Sequence, residues 1–134
     1  MAALDTRLAR PPYRLVAHSA QTEATLIAGQ RQHCPILAAT SLLCTVRLSR
    51  AAFPELGSHR LDSVLRFLSI PIPAGRHRAI PDAELTGQVL QRALAAGHER
   101  GLWTALRDLD AAAGIAPRPA ANGANNAPAQ EPLF

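Results

Sequence analysis

The stretch GRHRAIPDAELT, residues 75–86, places His77 five residues ahead of Asp82. A histidine that titrates near neutrality can take a proton from water, and a carboxylate is a natural ligand for a hard cation. Pro71 and Pro73 stiffen the loop before His77. Asp82 follows Pro81 and heads an apolar pattern, Leu85, Val89, Leu90, Ala93 and Leu94, at helical spacing. Such an arrangement aims two polar groups at one point. It is equally an ordinary helix start, with an acid where the helix dipole favours one. Spacing alone leaves both open.

The elements that would position these residues can be read in order. YRLVAH (13–18) and SLLCT (41–45) predict short buried strands, and Ser19 is placed to cap a helix over 20–32 that stops at His33-Cys34-Pro35. VRLSRAAF predicts one or two helical turns. A helix over 61–70 has Leu61, Val64, Leu65 and Leu68 on one face, with Ser58 as its cap and Pro71 as its end. Two more helices are expected, from Asp82 to about Ala96 and over 99–114, the second closed by Gly114. From Ala116 onward Pro, Ala, Asn and Gly predict a disordered tail. The order is α/β. Two short parallel strands are a poor sheet on their own, so neighbours are expected to be missing.

Composition bounds the function classes. The chain has 134 residues, 48% hydrophobic and 4% aromatic, enough for one domain with an aliphatic core. Its net charge of +4 comes from 14 arginines and no lysine, which, beside abundant alanine, reads as genomic base composition rather than phosphate contacts. The excess lies in residues 1–74, with eight Arg against four acids. Cys34 and Cys44 have no metal-site spacing and are expected as buried thiols. No apolar run spans a bilayer and no secretory signal opens the chain, so a cytoplasmic location and no membrane partner are expected. His18 is expected as a hydrogen-bonded histidine at a strand end, and His33, His59 and His98 as surface or loop residues. Trp103 reads as the core anchor of the last helix, and Asp62 as solvated.

RHRAIPDAELT resembles the third motif of the DEDDh 3′–5′ exonucleases, H-x-A-x-x-D followed by a helix. LVAHSAQTEATLI is similar to the second motif, A-H-N-A-x-F-D-x-x-x-L. CTVRLSRAAFP with SHRLDSVLRFLSIP resembles the segment between them in proofreading epsilon-like subunits and exodeoxyribonuclease X. The resemblance covers residues 13–110, with the motifs in family order. It implies a ribonuclease-H-like α/β fold and two-metal hydrolysis of DNA from a single-stranded 3′ end, with Mg²⁺ or Mn²⁺ as cofactor. His77 would be the general base, and Asp82 and Glu23 would be metal ligands, held about 4 Å-spaced cations being what the reaction needs.

Departures from the pattern shape the expectation. Glu23 stands in place of the second-motif aspartate, one methylene longer, and Ser19 and Thr22 replace Asn and Phe. The first motif, D-x-E-T on a strand, is absent, and Asp82-Ala83-Glu84 cannot replace it because helical residues two apart point in different directions. Residues 1–115 are therefore expected to be the C-terminal part of an exonuclease domain, inactive as this chain alone. The tail, 116–134, ends in QEPLF, which resembles the short bacterial sliding-clamp-binding motif; Gln130, Leu133 and Phe134 would be its contacts. A non-catalytic accessory protein bound to the clamp or polymerase is the alternative reading.

Overall fold

A computed structural model of the protein describes residues 13–74 and 78–119; His77 and the QEPLF segment, with Gln130, Leu133 and Phe134, lie outside the described residues. Strand β1, Leu15–Ala17, leads into α1, Ala20–Ala28. The single-turn α2, Pro35–Ala38, precedes β2, Leu42–Cys44, which runs directly into α3, Thr45–Ala52. Then come α4, Leu61–Phe67, the 21-residue α5, Ala79–Glu99, α6, Leu106–Ala113, and β3, Gly114–Ile115.

The fold is mixed α/β with a three-stranded sheet in the order β1-β2-β3. β1 and β2 are parallel, with Leu15 opposite Leu42 and Ala17 opposite Cys44. β3 joins β2 antiparallel, Leu42 opposite Ile115. All three residues of β2 are buried because helices cover both faces. Alternation along the strand divides its side chains. Leu42 and Cys44 pack with Ala20 and Ala24 of α1 and with Ile115. Leu43 faces the other way, into Leu48, Ala52, Phe53, Ala93, Trp103 and Ala113. A third cluster joins Leu61, Val64 and Leu65 of α4 to Leu85 and Val89 of α5.

Several boundaries differ from the sequence expectation for identifiable reasons. α5 begins at Ala79, three residues before Asp82, with Pro81 inside its first turn. The first helical bond runs from the Asp82 N–H to the Arg78 carbonyl at 3.0 Å, so Pro81 occupies a place where no donor is needed. The helix expected over 20–32 ends at Ala28, and Pro35 starts a separate turn. The helix expected over 99–114 is shorter. Gly101, at φ +72, ends α5, with Leu102 N–H bonded to Gly97 O and Gly101 N–H to His98 O. Trp103 is buried, but it precedes α6 rather than anchoring it from within. Its ring covers Gly97 on α5 and its Nε1–H donates to Leu94 O at 3.0 Å. Gly114 closes α6 in extended conformation and opens β3, which sequence reading did not anticipate.

At the far corner Arg14 joins β1 to α6 by a two-pronged pair with Asp110, Nε to Oδ1 at 3.0 Å and Nη2 to Oδ2 at 2.9 Å. Arg100 donates to Ala52 O at the end of α3, and Arg31 to Arg118 O. These arginines serve the fold itself. Cys34 and Cys44 are buried and free. No helix among the described residues is long and apolar enough to cross a membrane.

Candidate functional site

The end of β1 carries the first group of polar side chains. Parallel pairing delivers His18 beside Thr45, the first residue of α3, and the chain then turns through Ser19 in left-handed conformation, φ 70 and ψ 56. His18 Nε2 lies 2.7 Å from the His59 carbonyl oxygen, and Nδ1 lies 2.7 Å from Thr45 Oγ1. A carbonyl only accepts, so Nε2–H donates to it, while Nδ1 is hydrogen-bonded to the Thr45 hydroxyl. Thr45 Oγ1 also stands 3.4 Å from Ala17 O. The expected hydrogen-bonded histidine is therefore present, with both ring nitrogens engaged.

His59 is in a loop, as expected, half-buried, with its ring turned onto α3. Its Nδ1 is 2.7 Å from Ser49 Oγ. Burial and then the charge of Arg50 hold its imidazole below the ordinary histidine range, opposed by the Leu56 carbonyl and Glu55. Ser49 and His59 have the spacing of a nucleophile and base, yet Ser49 is 0% exposed and closed to substrate. Sequence reading passed over Thr45 and Ser49. The available signal was two hydroxyls four residues apart, hence on one helical face, following an apolar strand.

Glu23 is in the first turn of α1 and exposed. Asp82 is in the first turn of α5, half-buried. Both positions suit an acid through the helix dipole alone. Near Asp82 a cleft of ≈ 260 Å³ is lined by Pro71, Pro73, Pro81, Glu84, Leu85 and Gln88. Among the described residues no group of three or more His, Cys, Asp or Glu side chains is gathered closely enough to hold a metal ion. Two carboxylates on separate helices are short of the donor set a hard-cation pair requires. Asp62, expected to be solvated, is half-buried in the first turn of α4. His33 and His98 are exposed.

Comparison with known proteins adds a relationship. The chain is 33% identical over 90 residues to the PolC-type DNA polymerase III of Bacillus cereus. It is 27% identical over 88 residues to that of Caldanaerobacter subterraneus subsp. tengcongensis. Each match covers 66% of this chain and only 6% of the relative. No family model matches the chain. No solved structure matches it. Across 66% of its length, the chain is thus similar in sequence to a small part of PolC-type DNA polymerase III.

Proposed function

We propose that this chain is part of a replication-associated 3′–5′ exonuclease domain of ribonuclease-H-like fold. His77 is the general base, Asp82 and Glu23 contribute to binding Mg²⁺ or Mn²⁺, and the 3′ end of single-stranded DNA is the substrate. The reading is carried by one coincidence. The segments that resemble the second and third exonuclease motifs fall on the β1–α1 junction and the first turn of α5, in a chain related to a replicative polymerase. His77, two residues before Ala79 in the sequence, is of a type that can accept a proton from water. The chain has no D-x-E on a strand, and its described residues do not complete a metal cage. The 134-residue protein alone is therefore expected to leave DNA intact.

The test is incubation of a 3′-labelled single strand with the protein and Mg²⁺ or Mn²⁺, with no shortening as the expected result. Robust shortening abolished by His77→Ala and by Asp82→Ala would overturn the inactivity while supporting the site. Shortening indifferent to both substitutions would remove the site. A second reading, a clamp-bound accessory protein, is favoured by the apolar Leu133-Phe134 pair within an otherwise polar C-terminal stretch.

A further inference from the structure

From the geometry at the end of β1 we infer that His18 is a positioning residue, a latch that fixes the Glu23-bearing segment relative to the Asp82-bearing helix. It rests on the proposed function only in naming those two carboxylates as what is positioned. Ser19 follows His18 directly and opens α1, and Glu23 lies one turn further on. On the other side, His18 Nε2 holds the carbonyl of His59, which precedes Arg60, the N-cap residue of α4. α4 packs its Leu61, Val64 and Leu65 against Leu85 and Val89 of α5, and Leu85 lies three residues past Asp82 on the same helical face. Through Nδ1, the ring also fixes Thr45 at the start of α3. One imidazole therefore ties β1–α1, α3 and the entry to α4 at a single point.

A ring bonded through both nitrogens has one orientation, whereas an aliphatic side chain here would leave the His59 carbonyl and the Thr45 hydroxyl without this partner. Loss of the latch unties the loop at residues 58–60 from β1, leaving it held to α3 by the Ser49–His59 bond, and removes no residue of the three hydrophobic clusters. The two first turns then lose their fixed separation. A role limited to stability would lower the melting temperature and leave that separation unchanged in the folded protein.

The experiment measures the separation directly. Nitroxide labels are placed on Gln21→Cys and Ala83→Cys, both exposed positions, by brief treatment of the folded protein, in which Cys34 and Cys44 are buried. Electron–electron distance measurement well below the melting temperature is expected to give a narrow distribution with His18. His18→Ala should give a broader and longer one, and His18→Gln, which keeps a donor and an acceptor, should restore the narrow one. An unchanged distribution in His18→Ala overturns the latch. The unsubstituted protein supplies a second arm that needs no folded variant: its ¹⁵N spectrum is expected to show His18 with the proton on Nε2, and a proton on Nδ1 instead would also overturn it. Neither readout depends on DNA hydrolysis, so failure of the nuclease reading leaves this result standing, and the reverse.

Discussion

His59 shows how a single side chain acquires properties that its place in the sequence does not announce. As a loop histidine between Ser58 and Arg60 it reads as a surface residue, yet it bonds Ser49 and is held below its usual range by burial and Arg50. A histidine kept neutral in the fold takes up its proton more readily in the unfolded chain, so the unfolded state gains protons first as the pH falls. Its contribution is therefore fully present above about pH 6.5 and is lost as the pH falls from there through the depressed folded value. Urea unfolding should show a lower midpoint at about pH 5.5 than at about pH 7.5, with a smaller difference in His59→Gln. An equal difference in both proteins would remove His59 as the cause. Ser19 is the complementary case. Its left-handed backbone, φ 70, is a conformation in which Asn, rather than Ser, is enriched.

At the scale of elements, what was legible followed from apolar pattern, and what was not followed from glycine and proline in context. β1, β2, α3 and the body of α5 are where leucine and valine spacing places them. Pro81 obscured the start of α5 because its missing N–H costs nothing in a first turn. Gly101 and Trp103 break the apparent helix over 99–114, since the chain must reverse for the indole to cover Gly97. That contact supports a prediction. Alanine is a better helix former than glycine by about 1 kcal/mol, which by itself would stabilise α5. A Cβ on Gly97, however, would lie 2.0 Å from Trp103 Cζ2 and 2.2 Å from Cε2, so the buried ring must be displaced. Overpacking of this kind costs about 1–3 kcal/mol and outweighs the gain. Gly97→Ala should lower the melting temperature and shift the emission of the single tryptophan toward that of an exposed indole. A higher melting temperature with unchanged emission would contradict this packing.

For the whole molecule, the α/β class was readable from local sequence, while the third strand and the histidine–hydroxyl network were not. Gly114-Ile115 has no strand signature of its own and becomes a strand only because β2 is there to receive it. Thr45, Ser49, His18 and His59 meet through three separate elements, a juxtaposition that no periodicity encodes. One whole-chain prediction concerns QEPLF. A free peptide of residues 122–134 titrated against the bacterial sliding clamp should bind with a dissociation constant on the order of micromolar, because ordering a flexible ligand offsets part of the contact energy. Phe134→Ala should abolish the binding, since the aromatic ring supplies the apolar anchor. Absence of binding, or binding that survives the substitution, would leave the accessory reading without its motif.

The pair between Arg14 and Asp110 joins residues 96 apart in sequence, and β2 takes its second neighbour from residues 114–115. Closure of the sheet therefore requires contacts between distant parts of the chain, and contacts of large sequence separation slow the search for the native state. On the ribosome, β1, α1 and β2 emerge long before β3, which pairs with β2. Until Ile115 has left the exit tunnel, one edge of the central strand and the apolar face that Ile115 covers are open to whatever else is nearby. For this fold, synthesis carries a window of vulnerability that narrows only when β3 reaches β2.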